Sequence, residues 1–284
     1  MKDEEKFSFI LWIATMIELA PNWKRSLTLT HPLILSSAFA ADARVGAIVT
    51  LPLTLRPRAG APLPRIVEIP GGFLMRTGAA NPGLEKTLRD YRRAWSRAGS
   101  SVPIIVALAA QAVRDWATMA ARLERVEGVG GIELQLNPAF DAVDAIRATR
   151  AATELPILAK LDLDNASAIA ADCIAAGANA LVIGRAPRGM VMVDGKAWYG
   201  RLFGPVAKPF VLSAVAEVAA LKLDAPLIAC GGVHSADDVR EFLSAGACAA
   251  EIDSAAWVDP AMVEQIAAEL VKGNGTQTNT DEHR

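Results

Sequence analysis

The sequence reads as an α/β protein, a (β/α)8 TIM barrel with β-hairpin insertions at the C-terminal face of its strands. Three observations predict it. Short apolar runs recur along the 284 residues, and continuous runs of this length suit strands buried on both faces. Amphipathic helical stretches separate them, and strands alternating with helices build a parallel sheet. Eight such runs in a chain of this length suit closure into one barrel, which takes about 250 residues. An open doubly wound sheet is the alternative.

The runs fall at 33–37, 47–50, 104–109, 131–136, 157–160, 180–183, 227–230 and 249–252. Helical periodicity covers 84–98, 113–126, 140–151, 166–176, 205–222, 236–245 and 261–272. Ser235 is a good N-cap for the sixth helix, and Gly177 and Gly246 are good stops. Two stretches break the rhythm. Residues 52–82 are rich in Pro and Gly and hold a short strand at 65–69. Residues 185–203 hold short strands at 191–193 and 197–199 around Asp194-Gly195, a strong hairpin turn. Both follow strand C-termini, so both decorate the face where barrels place their active sites. Residues 38–45 are too short for a full crossover helix.

Residues 7–20 form an apolar run around Glu18. It is shorter than the roughly 20 residues a membrane span needs, and the mixed-charge MKDEEK before it is unlike a signal peptide. Three readings stay open: an amphipathic segment lying on a membrane or on the barrel, a signal-anchor, or a translated stretch upstream of a start at Met16. The last is favoured, because the recognisable pattern begins near Ile17. The layout is then an extension over 1–15, a barrel over 16–272 and a polar, disordered tail over 273–284, with a cytoplasmic location.

Composition narrows the function. The chain is 52% hydrophobic and 21% charged, with a mean hydropathy of +0.27, which excludes a disordered chain. With 29 basic and 31 acidic residues it lacks the basic excess of a nucleic-acid binder. Cys173, Cys230 and Cys248 form no C-x-x-C pair, so metal and dithiol chemistry lose their usual signatures.

The segment TLRPRAGAPLPRIVEIPGGFLMRTGAANPG (54–83) resembles the dihydroorotate dehydrogenase family, most closely the catalytic subunit of its NAD-linked, two-subunit branch. IELQLNP (132–138), ILAKL (157–161), GRLFGPVAKP (200–209) and ACGGVHSADDVREFLSAGA (229–247) extend the resemblance over nearly all of 17–270. It implies a (β/α)8 barrel with FMN at the C-terminal ends of its strands, an oxidoreductase of pyrimidine biosynthesis acting on a CH–CH bond, and homo-oligomers or an electron-transfer subunit carrying FAD and an iron–sulfur cluster. It implies cofactor roles for Ser36, Ser37, Gln135, Lys160, Gly204, Gly231, Gly232, Asp253 and Ser254. Lys160 matches the strand-five lysine that touches the flavin ring and ribityl chain. Gly231 and Gly232 match glycines whose amides approach the phosphate.

Several positions depart from the family pattern. The family's catalytic Cys lies in Asn-x-Ser-Cys-Pro-Asn after strand four; here that place reads Gln135-Leu136-Asn137-Pro138-Ala139-Phe140, and the lid after it is missing. Met75, Gln135, Phe140 and Gly184-Arg185 replace substrate-binding residues. Leu51 replaces a lysine near the flavin pyrimidine, and Asp253-Ser254 replaces a phosphate-binding Gly-Thr pair. The mouth gains Arg76, Arg185 and Arg188, with Asp162 and Asp164. They form either a solvated rim or a site for a small anionic ligand, since guanidinium forks onto carboxylate or phosphate. His234 reads as exposed and His31 as a barrel-floor residue. Two functions follow: an FMN oxidoreductase using orotate poorly or not at all, or a non-catalytic barrel, pseudoenzyme or partner subunit. A non-redox barrel enzyme holding a phosphorylated ligand is a third.

Overall fold

The computed structural model describes residues 16–36, 44–99, 101–136 and 141–272. The extension over 1–15, the tail over 273–284, Ser37 and the Asn137–Phe140 segment lie outside them.

The chain opens with β1 (Ile17–Glu18) and β2 (Thr28–Leu29), then β3 (Leu33–Leu35) and β4 (Ala47–Val49). β5 (Ile66–Ile69) and β6 (Gly72–Met75) precede α1 (Leu84–Ala98). Next come β7 (Ile104–Leu108), α2 (Val113–Leu123), β8 (Val129–Gln135), α3 (Ala142–Arg150), β9 (Ile157–Asp162), α4 (Ala166–Ala175) and β10 (Ala180–Arg185). The hairpin β11 (Arg188–Val193) and β12 (Lys196–Phe203) leads to α5 (Lys208–Ala220), β13 (Leu227–Cys230), α6 (Ala236–Ser244), β14 (Ala249–Ile252), α7 (Ala255–Val258) and α8 (Ala261–Lys272).

β3, β4, β7, β8, β9, β10, β13 and β14 close in that order into a parallel barrel, β14 pairing with β3. The α/β barrel stands and the open sheet does not. Each strand is at the predicted place, with ends shifted by up to two residues. β9 and β10 run on to Asp162 and Arg185, which carries those charges onto the strand tips. The expected 205–222 helix begins with a 3-10 turn, Pro205–Ala207, before α5.

Alternation along the strands fills the barrel in layers. The inward residues Ile34, Val49, Ala107, Leu158, Val182, Ile228 and Ala249 form one apolar cluster. Ile17, Leu19, Leu27 and Leu29 join it from below, so β1 and β2 plug the barrel floor. The apolar run at 7–20 is therefore divided at its C-terminal end. Glu18 interrupts it because its carboxylate organises the hairpin, accepting from the N–H groups of Ala20 and Leu27, each at 2.8 Å. Among the described residues no helix is long and apolar enough to cross a membrane.

The two irregular stretches meet. β5 and β6 pair, β11 and β12 pair, and β6 joins β12, giving an antiparallel sheet in the order β11-β12-β6-β5. Phe73 and Phe203 stack across the join with ring centroids 5.6 Å apart. Buried Asn81 holds the Pro/Gly loop, accepting from Gly83 N at 2.9 Å and donating to Ala79 O at 2.8 Å. Arg65 fastens the other side through Ala61 O at 2.7 Å. The Asn-Pro-Gly and Pro-Arg motifs thus shape the loop.

Ser235 caps α6, accepting from Asp238 N at 3.1 Å. Ser235→Ala should cost about 1 kcal/mol, read as a lower urea midpoint with an unchanged slope. An unaltered midpoint would mean that water replaces the cap.

Candidate active site

A cleft opens at the C-terminal ends of the barrel strands, roofed by the antiparallel sheet. Its cavity volume is about 220 Å³, just under the roughly 300–1,000 Å³ usual for ligand pockets. Ser36, Gln135, Lys160, Gly204, Gly231, Gly232, Asp253 and Ser254 all line it. So do Leu51, Met75, Cys230 and His234. Ser37 lies outside the described residues.

Below the cleft the barrel carries a charged layer. The strand alternation that points Leu158, Ile228 and Ala249 inward also points Lys160, Cys230 and Glu251 inward. Lys160 Nζ lies 2.6 Å from Glu251 Oε2 and 3.3 Å from Glu133 Oε1. Both glutamates are fully buried, and Gln135 donates to Glu133. Glu133 Oε2 and Glu251 Oε1 have no partner among the described residues.

The charges are not equivalent. Burial, reinforced by the facing Glu251, pushes the Glu133 carboxyl well above its usual range, so it holds a proton. Burial opposes ionisation of Glu251 too, but Lys160 outweighs it and keeps that carboxylate below its usual range. Burial opposes the charge on Lys160, but at the high pH where it titrates the ionised Cys230, Glu133 and Glu251 hold its ammonium well above the ordinary value. Burial and Glu251 raise the Cys230 thiol well above its usual range, so it is protonated near neutrality. Lys160 is thus no solvated strand-end lysine: it is clamped to a partner the sequence reading did not single out. Two acids inside apolar strand runs, IEL and AEI, were the available signal.

The turn after β13 is set by glycines. Gly232 has φ of +76°, and a Cβ there would lie 2.6 Å from the Lys208 backbone. Gly231 has φ of +115°. Both line the cleft, and such turns present backbone N–H groups to anions. His234 is half-buried, which corrects its reading as exposed. Its N–H donates to Asp238 at 2.8 Å, and its Nδ1 is buried without a partner among the described residues.

The expected arginines divide. Arg185 lines the cleft, where its Nη1 donates to Leu136 O at 2.7 Å and lies 3.4 Å from Asp162. Arg188 is exposed on β11, and Arg76 is exposed with its guanidinium 4.9 Å from the Trp198 ring centroid; neither lines the cleft. Arg201 on β12, not singled out in the sequence, takes their place. It lines the cleft and lies 3.1 Å from Asp162. Strand pairing put it there: Arg201 sits opposite Met75 on β6. Asp164 is exposed.

Comparison with known proteins agrees with this geometry. The family model for dihydroorotate dehydrogenase matches residues 35–273. The chain belongs to the dihydroorotate dehydrogenase family. It is 34% identical over 276 residues to the dihydroorotate dehydrogenase B (NAD(+)) catalytic subunit of Desulforudis audaxviator (strain MP104C), covering 86% of this chain and 89% of that one. It is 32% identical over 249 residues to the protein of that name from Geotalea uraniireducens (strain Rf4), covering 79% of each. The corresponding protein of Geobacillus sp. (strain WCH70) is 33% identical over 250 residues, covering 80% of this chain and 79% of that one. Membership of this family points to a dihydroorotate dehydrogenase-like oxidoreductase.

Proposed function

We propose that the chain is an FMN-dependent oxidoreductase of the dihydroorotate dehydrogenase type whose site is not fitted to dihydroorotate. The observation that carries this is the coincidence in one cleft of apolar lining residues (Leu51, Pro52, Met75), the Gly231-Gly232 turn and a buried Lys160 whose pKa is raised. The glycine amides suit a flavin's phosphate. Bound FMN would supply a hydride acceptor. The chain's part is to hold the Lys160 ammonium at the cleft floor, to offer the Gln135 side chain beside it, and to exclude water beneath the sheet roof.

What the described cleft lacks is a deprotonated cysteine to accept the proton. A general base must reach its proton in the deprotonated state. Cys230 is the cysteine that lines the cleft, and its thiol is held protonated by burial and Glu251. The residues at 137–140 include no cysteine. Purified protein is therefore expected to show the flavin absorbance bands near 370 and 450 nm and yet to oxidise no dihydroorotate above background with NAD, fumarate or quinone. Turnover near one per second, within the ordinary enzyme range, would overturn the substrate half of this reading. Colourless protein that takes up no added FMN would overturn the cofactor half.

One observation favours a second reading, a non-catalytic barrel. Glu251 neutralises Lys160, and Asp253 brings a carboxylate to the cleft wall; both reduce the positive field a flavin phosphate or reduced ring would meet. The same absorbance measurement separates the two. For partners, the electron-transfer subunit implied by the family remains a proposal, tested by co-purification from native extract. The proposed location is the cytoplasm.

A further inference from the structure

We propose that Arg185 and Arg201 form a substrate-anion site, and that this site gives the cleft its specificity for a ligand carrying a carboxylate or phosphate group. The inference rests on the oxidoreductase reading for the word substrate, and on the geometry alone for the anion.

Charge is distributed unevenly through the cleft. At its floor one ammonium, Lys160, faces two carboxyl groups, Glu133 and Glu251, and no positive charge is left over. At its mouth the balance reverses. Arg185 and Arg201 both line the cleft and share the single carboxylate of Asp162, one on each oxygen, at 3.4 and 3.1 Å. Arg188 stands next to them and adds a third positive charge without lining the cleft. Two guanidiniums on one carboxylate leave at least one charge unmatched among the described residues.

The pair is built. Arg185 is held by Leu136 O at 2.7 Å and Arg201 by Ala186 O at 2.6 Å. Their side chains are only 22% and 24% exposed. In both, Nη1 makes these contacts, and among the described residues Nε and Nη2 have no partner of their own. Two fixed forks with spare N–H groups at one cleft match the bidentate geometry of carboxylate or phosphate. Burial, then the neighbouring Arg201, lowers the pKa of Arg185, while Asp162 raises it and Arg188 lowers it again. Crowded like charges of this kind are relieved by an incoming anion. Arg201 leaves from β12, while Arg185 ends β10, whose barrel neighbour β13 leads into the Gly231-Gly232 turn, so Arg185 and the turn stand side by side at the cleft and the test must tell the two apart.

The test is tryptophan fluorescence, since Trp257 lines the same cleft. Inorganic phosphate and fumarate are titrated separately, with and without saturating FMN. Wild type should bind at least one of these anions in both conditions. Arg201→Gln should weaken that binding at least tenfold, about 1.4 kcal/mol, Arg201→Lys should recover part of it, and FMN affinity should not move. Arg201→Gln removes the charge and keeps a polar side chain; equal urea midpoints confirm that it folds. Anion binding that is unchanged in Arg201→Gln would overturn the proposal. So would a loss of FMN affinity in Arg201→Gln with riboflavin affinity preserved, since the forks would then hold the cofactor's own phosphate. If FMN never binds, the oxidoreductase reading fails while the FMN-free titration still decides the anion site.

Discussion

Lys160→Met should lower stability by about 3–5 kcal/mol, the cost of leaving a buried charge without its partner. Lys160 is 6% exposed and both glutamates 0%. Remove the ammonium and Glu251 has no counter-charge 2.6 Å away; it must then take up a proton inside the barrel. The effect is far larger than for a surface pair such as Lys24–Glu154, which is worth about 1 kcal/mol or less. A double-mutant cycle isolates the cause. Lys160→Met combined with Glu251→Gln should recover most of the loss, because the uncompensated charge is gone and the shape is nearly kept. Urea unfolding of the four proteins is the measurement. A cost under about 1 kcal/mol for Lys160→Met would show that water already reaches the layer.

The same layer fixes the sign of a pH dependence. Glu133 binds its proton more tightly folded than unfolded, because burial and Glu251 raise its pKa. Its contribution is present at low pH and fades as pH rises above the ordinary carboxyl range. Glu251 runs the other way. Its lowered pKa makes its contribution present above that range and lost as pH falls through it. Glu133→Gln should therefore leave acid stability nearly unchanged and flatten the decline on the alkaline side. A steeper alkaline decline in that variant would mean that Glu133 is already ionised beside Lys160.

The barrel was legible because its cause is local. Apolar runs of strand length with amphipathic helices between them have one economical closed arrangement, and the runs at 227–230 and 249–252 appear at those limits as β13 and β14. Eight of the nine cofactor positions read from the sequence, from Ser36 to Ser254, line the cleft, because the motifs lie at strand C-termini. What it missed depends on pairing across long separations. Arg201 reaches the cleft only because β12 joins β6, more than a hundred residues earlier. Glu251 meets Lys160 only because the closed barrel points inward residues of different strands at each other. Arg76 left the site for a related reason: its ring partner Trp198 lies on the distant β12. His234 looked exposed because a residue after a glycine pair has no local reason to be covered; Asp238 on α6 draws its backbone in.

Asp253→Gly should raise FMN affinity about tenfold to a hundredfold, or about 1.4–2.7 kcal/mol. Asp253 lines the cleft together with Gly231 and Gly232, the turn offered to the phosphate. Its field is felt inside the barrel, where it helps to raise the pKa of Cys230. A carboxylate several ångströms from a phosphate opposes binding by a few kcal/mol in a half-buried setting. Glycine removes the charge and leaves the backbone amide free of side-chain bulk. Leu51→Lys, made in the same protein, should add a further gain, because it brings a cation to the same cleft. Flavin fluorescence quenching, titrated at two salt concentrations, reads both. Added salt should weaken the repulsion in wild type and leave Asp253→Gly less sensitive, since Asp253 is only half-buried and its charge is open to screening. If wild type binds FMN tightly and Asp253→Gly changes nothing, the carboxylate is already neutralised where the phosphate sits. The electrostatic objection to the cofactor then falls away.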